Sequence, residues 1–165
     1  SLPKEVSEPF RQIHPEWSDA SWALRFVASH ENVKVILSGM STLEQVKDNL
    51  ATFENLEDLT SCELETINNV AKTLKARTKN GCTGCRYCMP CPAGVDIPNN
   101  FSAWNLYYKY ESENAASWAV RQVKATEGYA TKCVGCGKCE AVCPQHLNIR
   151  KDLAQIAAEM KKFYE

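Results

Sequence analysis

Eight cysteines gathered in two short runs constrain this chain more than any other feature of its sequence. The runs read Cys82-Thr-Gly-Cys85-Arg-Tyr-Cys88-Met-Pro-Cys91-Pro92 and Cys133-Val-Gly-Cys136-Gly-Lys-Cys139-Glu-Ala-Val-Cys143-Pro144. Each run places three cysteines at successive C-x-x-C spacings and a fourth directly before a proline. Three thiolates at this spacing can surround one face of a cubic metal cluster. The fourth ligand must then come from elsewhere in the chain.

The second run has the spacing of bacterial ferredoxins, in which the cysteine before the proline ligates the other cluster. Eight cysteines make two sets of four, which is what two [4Fe–4S] clusters require. The predicted first set is Cys82, Cys85, Cys88 and Cys143. The predicted second set is Cys133, Cys136, Cys139 and Cys91. The first run departs from the usual form, because two residues rather than three precede Cys91.

Zinc is the main alternative, since four cysteines also form tetrahedral zinc sites. Zinc-binding pairs are usually separated by a loop, so the consecutive spacing favours iron–sulfur. Disulfides belong to oxidising compartments, and no charged-then-apolar leader opens the chain. We therefore expect a reducing cytoplasm. The ninth cysteine, Cys62, falls in the first turn of a predicted helix and is interpreted as a passive, partly buried residue.

The charge balance argues against nucleic acid as a partner. Lys and Arg number 19 against 20 Asp and Glu, a net charge of -1, whereas a nucleic-acid surface needs a basic excess. Apolar runs such as Val33–Leu37 are far shorter than the roughly 20 residues of a membrane span. We expect neither a nucleic acid nor a membrane as partner.

The second part of the chain, residues 77–165, shows helical rather than strand patterns after the Asn80-Gly81 turn signal. Helices are predicted over 101–110 and 115–126, with a last helix starting near Asn148. A compact ferredoxin joins its cysteine motifs by short hairpins, but here helical patterns fill the interval from Cys91 to Cys133. The arrangement resembles an α-helical ferredoxin.

The first part, residues 1–76, alternates helix and strand signals. Ser18 or Asp19 caps a predicted helix, and Val33–Leu37 is predicted to be a buried strand because it is short, apolar and β-branched. Capping boxes are predicted at 41–44, with Ser41 as the cap, and at 60–63. One strand flanked by helices is not a complete sheet, so this part is interpreted as the tail of an α/β domain.

Three stretches of this first part resemble the end of an aldo/keto reductase: SWALRFVASH at 21–30, VKVILSGMS at 33–41 and EQVKDN at 44–49. The following Leu59 to Leu64 is similar to that family's helix-cap boundary. A subgroup of these reductases carries a C-terminal cluster domain. Residues 82–98 of this chain, CTGCRYCMPCPAGVDIP, closely resemble the opening of that domain. The resemblance implies a mostly α chain: the last βα unit of a TIM barrel at 1–76, then a ferredoxin-like domain at 77–165.

The resemblance also implies a nucleotide-binding loop. In aldo/keto reductases, the loop after the last barrel strand holds the adenosine end of NADP(H). The matching positions are Gly39, Met40, Gln45, Asp48 and Asn49. The family holds the 2′-phosphate of NADP with a Lys and an Arg, and this chain has Gly39 and Gln45 at those two positions. The resemblance therefore implies NAD(P) without a choice between NAD and NADP.

The family's catalytic Asp, Tyr, Lys and His lie in the first half of its barrel, and nothing before Ser18 matches them. We therefore expect this chain to be the C-terminal fragment of an NAD(P)-linked carbonyl oxidoreductase, with no catalytic residue of its own. The expected partners are a redox protein or a carbonyl substrate. The alternatives are a stand-alone ferredoxin-like electron carrier, purely structural clusters, or a zinc-stapled module.

Overall fold

The computed structural model describes residues 2–164, and all regular secondary structure in this range is helical. The prediction of a mostly α chain is confirmed. The chain divides into two compact units, Ser1–Lys75 and Ala76–Glu165. Among residues 2–164, no helix combines the length and the apolar character that crossing a membrane requires.

Four helices build the first unit: α1 (Lys4–Ile13), α2 (Asp19–Ala28), α3 (Leu43–Glu54) and α4 (Ser61–Ala76). The Ser18 hydroxyl accepts a hydrogen bond from the Ser21 amide, so the predicted cap of α2 is confirmed. A small apolar core joins α1, α2 and α4. Its buried members are Val6, Phe10, Trp22 and Val70.

The strand predicted at Val33–Leu37 does not form, and this part of the prediction was wrong. The segment is irregular, and Val35 and Leu37 are 78% and 93% exposed. A strand needs a neighbour to pair its backbone N–H and C=O groups, and residues 2–164 contain no strand that could serve. The apolar side chains of Val33–Leu37 are therefore left without a neighbouring strand among the described residues.

The capping box predicted at Ser41 lies one residue further on. Thr42 is the cap of α3, its hydroxyl accepts from the Gln45 amide, and the Gln45 side chain accepts from the Thr42 amide in return. The second predicted box is confirmed, since Thr60 and Glu63 exchange the same pair of hydrogen bonds at the start of α4.

The second unit contains α5 (Ile97–Tyr110), α6 (Glu113–Ala125), a 3-10 turn (Ala130–Lys132), α7 (Lys138–Ala141), α8 (Ile149–Glu159) and α9 (Lys161–Tyr164). Helices α5 and α6 form an antiparallel pair, and α8 packs on α5 and on the 3-10 turn. The sequence predicts an apolar stripe on the last helix, and four of its six residues are buried: Ile149, Leu153, Ile156 and Met160. The other two, Ala157 and Phe163, are half-buried. Most of the clustered cysteines pack against this core, so the helices form the base on which both cysteine loops rest.

Candidate metal centre

The two cysteine runs adopt the same backbone conformation at equivalent positions. Gly84 and Gly135, each the residue before the second cysteine of its run, have φ of 71° and 70°. The residues after that cysteine, Arg86 and Gly137, have φ of 66° and 75°. Left-handed conformations at alternating positions turn a loop sharply and aim its amide N–H groups inward. Each run is therefore folded to enclose a negatively charged group.

Both runs line one cavity, of about 180 Å³, and the larger share of its cysteines comes from the second run. Three cysteines of that run line it, together with two that belong to the first run. The five cysteines are Cys88, Cys91, Cys133, Cys136 and Cys139. Cys91 thus faces the loop from which it is separated by α5 and α6, as the predicted second set requires.

A narrower cavity, of about 20 Å³, lies against the first run. Cys82, Cys85 and Cys88 line it, and the fourth cysteine in its wall is Cys143 of the second run. The two runs therefore exchange their last cysteines: Cys91 goes to the larger cavity and Cys143 to the narrower one. The structure gathers the residues of both predicted sets, and their roles as ligands are proposed below.

The two cavities are neighbours. Cys88, Tyr87 and Ile97 line both of them. Any groups that the two sets of cysteines bind would consequently be separated by one shared wall of protein.

Burial favours the protonated thiol at Cys82, Cys88 and Cys139. Burial raises the pKa of Cys88 to about 11, and the neighbouring thiols Cys82, Cys139 and Cys85 add to the effect. Burial likewise raises the pKa of Cys82 and of Cys139. These thiols are protonated near neutral pH, and thiolate is the form that binds metal. Metal binding must therefore release protons.

The donor set fits a cluster of several irons. Among residues 2–164, no three His, Cys, Asp or Glu side chains converge tightly enough to hold one metal ion. The cysteines instead line the walls of their cavities, and in a cubic cluster each thiolate binds a different iron. The Gly84 amide also donates to the Cys82 sulfur at 3.5 Å, a contact of the kind that stabilises a cluster's negative charge.

Charged residues at the larger cavity have no counterpart in the sequence predictions. Lys138 and Arg150 line it, and Arg150 is paired with Glu140 at 2.8 Å. Ten residues separate Glu140 from Arg150, which is not the spacing of one helix face. The sequence therefore offers no signal for this pair.

The five residues of the expected nucleotide loop lie in the first unit, around the start of α3. Gly39 and Met40 are exposed. The other three side chains are engaged locally: Gln45 in the cap of α3, Asp48 as acceptor from the Ser18 hydroxyl at 2.6 Å, and Asn49 as donor to the Ser38 hydroxyl at 2.8 Å. Their role in binding a nucleotide stays a prediction. Cys62 is exposed on α4.

Comparison with known families bears on the second unit. Residues 81–148 match the family model of the 4Fe-4S dicluster domain, and this stretch contains all eight clustered cysteines. No curated protein and no solved structure matches the chain. The matched part of the chain is an iron–sulfur, ferredoxin-like domain of the electron-transfer class that binds 4Fe-4S.

Proposed function

We propose that the second unit carries two [4Fe–4S] clusters and passes single electrons between them. The proposed ligands of one are Cys82, Cys85, Cys88 and Cys143. Those of the other are Cys133, Cys136, Cys139 and Cys91. The observation that supports the proposal is the pair of adjacent cavities: three cysteines of one run and the last cysteine of the other line each cavity, and Cys88 lines both.

When bound, such clusters accept or donate one electron each, at a potential set by charge, hydrogen bonds and solvent exposure. The chain's own part is to hold the cysteines in place and to limit the access of water. The core residues Ile97 and Leu153 line the inner side of the larger cavity, and Phe101 and Ile149 do so in the narrower one. Cys85 and Cys136 are exposed, so each cavity also has a side that a redox partner can approach.

We further propose that the parent protein is an aldo/keto reductase with this domain appended. The first unit supports the proposal through its exposed apolar residues. Val35 and Leu37 are exposed in the unpaired segment, and Leu43 and Leu50 are 63% and 56% exposed on α3. Side chains in such a pattern normally pack against another layer of protein. The remaining strands of a barrel would supply that layer and pair with Val33–Leu37.

The proposed partner of the clusters is a one-electron carrier protein. Nicotinamide moves two electrons as hydride, whereas each cluster moves one. We therefore expect the clusters to exchange electrons with a separate redox protein rather than directly with NAD(P)H. A stand-alone ferredoxin-like carrier is the second candidate, and it needs only the features of the second unit.

The first experiment is an iron and acid-labile sulfide assay on anaerobically purified protein, with an electron paramagnetic resonance (EPR) spectrum after dithionite reduction. Two [4Fe–4S] clusters predict eight iron and eight sulfide per chain and interacting signals from the reduced clusters. Zinc without sulfide would overturn the electron-transfer proposal. Cys62→Ser is the matched control, since it removes a cysteine outside both sets and should leave the iron content unchanged.

The reductase proposal is tested by nucleotide binding to the natural gene product that contains this chain. Gln45→Ala should weaken NAD(P)H binding, measured by quenching of protein fluorescence. Because Gln45 also caps α3, Thr42→Ala is the control: it disrupts the same cap but keeps the Gln45 side chain. Absence of NAD(P)H binding by the wild-type product would refute this proposal and favour the stand-alone carrier.

A further inference from the structure

Glu140 and Arg150 form a three-point contact between the second cysteine run and helix α8. The Glu140 Oε1 atom accepts from the Arg150 amide at 2.8 Å, and Oε2 accepts from Nε and Nη2 of the guanidinium, both at 2.8 Å. The first of these bonds satisfies an amide of the first turn of α8, whose N-cap residue Asn148 makes no side-chain cap. The guanidinium is thus fixed at a defined place.

That place is the wall of the larger cavity. Arg150 lines it together with all five of its cysteines, and does not line the narrower one. The guanidinium packs on the cysteine loop itself, since a Cβ built on Gly137 would lie 3.7 Å from its central carbon. Glu140, which carries the opposite charge, directly follows Cys139 in the chain. A cation and an anion are therefore both fixed beside the same group of thiols.

We propose that the Glu140–Arg150 pair sets the reduction potential of the cluster in the larger cavity, with Arg150 raising it and Glu140 lowering it. The proposal rests on the proposed two-cluster function. Reduction adds negative charge to a cluster, so a fixed cation nearby stabilises the reduced form and a fixed anion destabilises it. Arg150 also offsets the Glu140 charge next to Cys139. Arg150 is a positioning and charge-setting residue, because it acts through this field and ligates nothing.

A purely structural clamp makes a different prediction. If the pair only held α7 to α8, Arg150→Gln and Glu140→Gln would both loosen the loop and would change any cluster property in the same direction. An electrostatic role requires opposite signs: a lower potential for Arg150→Gln and a higher potential for Glu140→Gln. Arg150→Lys keeps the positive charge and should stay close to wild type.

The test is an anaerobic redox titration of the purified protein followed by EPR, with iron and sulfide measured on every variant. We expect Arg150→Gln to disfavour reduction of one cluster by a factor on the order of ten, about 59 mV for a one-electron couple. Glu140→Gln should favour reduction of the same cluster. Arg86→Gln is the matched comparison, since Arg86 lines only the narrower cavity and should shift the other cluster. Lys124→Gln, an exposed change on α6, is the remote control.

The outcomes separate the two proposals. If the wild-type protein contains no iron and sulfide, the proposed two-cluster function itself is refuted. Fully loaded proteins whose potentials do not move, or move in the same direction for Arg150→Gln and Glu140→Gln, overturn the inference while leaving that function intact. If Arg150→Gln does not load, Glu140→Gln decides: a higher potential supports the electrostatic role, and an unchanged or lower one refutes it.

Discussion

The side-chain amide of Asn100 donates a 2.7 Å hydrogen bond to the backbone carbonyl of Gly128. The same nitrogen donates to the Asp96 carbonyl at 2.8 Å, and the Asn100 oxygen accepts from the Tyr164 hydroxyl at 3.1 Å. Asn100 is fully buried. One side chain therefore joins the start of α5 to the turn after α6, from which the chain continues into the second cysteine run.

Replacing Asn100 should weaken the cluster domain. Asn100→Ala leaves buried acceptors without their donor, which typically costs about 1–3 kcal/mol for each such group. We expect a lower urea midpoint and faster loss of iron on mild heating. Asn99→Ala is the control, because Asn99 is only partly buried and its side chain donates to Asp96 alone. Equal effects of the two substitutions would contradict the role assigned to Asn100.

Gly128 is required for steric reasons. A Cβ there would lie 2.6 Å from the Asp96 Cβ and 2.7 Å from the Asp96 nitrogen, and the Asp96 backbone is held by its own hydrogen bond to the Gly128 carbonyl at 2.9 Å. We expect Gly128→Ala to destabilise the domain by more than 1 kcal/mol, of the order seen for overpacked sites. Gly39→Ala, where nothing lies within 4 Å, should be close to neutral in the same thermal unfolding assay.

The exchange of cysteines between runs predicts crossed losses. Cys143→Ser lies in the second run but should remove the cluster of the narrower cavity, while Cys91→Ser lies in the first run and should remove that of the larger one. Each variant should retain one reducible cluster and about half of the wild-type iron. Redox titration identifies the survivor, because the Arg150→Gln shift should persist in Cys143→Ser and vanish in Cys91→Ser. The reverse pattern would show that the ligand sets are not crossed.

Acid should destabilise the first unit through Glu63. Desolvation opposes ionisation of this carboxylate, but hydrogen bonds from Thr60 and from His14 outweigh it and lower the pKa of Glu63 below 4.5. Because the folded pKa is the depressed one, the stabilisation is present above pH 4.5 and is lost as the pH falls through the folded value. Glu63→Gln should flatten this dependence.

Hydrogen exchange of the α4 amides between pH 3 and pH 6, corrected for intrinsic rates, measures the effect; these bounds are about 1.5 units either side of the ordinary glutamate value. Glu65→Gln provides the control, since Glu65 is exposed on the same helix. A pH dependence that survives unchanged in Glu63→Gln would assign the acid sensitivity to another group.

Substitutions in the exposed segment Val33–Leu37 should have different effects in this chain and in the natural gene product. In this chain, Val35→Ser with Leu37→Ser should reduce the binding of an apolar dye, because both side chains are exposed. In the natural gene product, if it contains the proposed barrel, the same changes should instead lower the melting temperature, because the side chains would be buried there. Lys34→Gln serves as the control in both proteins. Unchanged stability of the natural product would argue against the barrel.

The cysteine spacing and the helical periodicity carried most of what could be predicted. The C-x-x-C spacing put three cysteines of each run in one group, because ligands of one cluster must lie close together in a loop. The cysteines of each group line the same cavity, and their role as ligands stays a prediction. The strand at 33–37 failed because a strand depends on a partner segment, which local composition does not report. Helix α1 was not predicted, and Pro9 lies inside it. The burial of Val6 and Phe10 on this helix outweighs the cost of a proline inside it. The Glu140–Arg150 contact depends on the packing of α7 against α8, so the distance between the two residues in the sequence does not predict it.

The wall that Cys88, Tyr87 and Ile97 form between the two cavities has a consequence for how charge crosses the domain. The two proposed clusters would be separated by this single layer of side chains and would form a relay. An electron that enters beside exposed Cys136 can leave beside exposed Cys85 without passing through solvent. The difference between the two potentials would decide which of the proposed clusters holds an added electron, and the substitutions at Arg150 and Arg86 would change that preference.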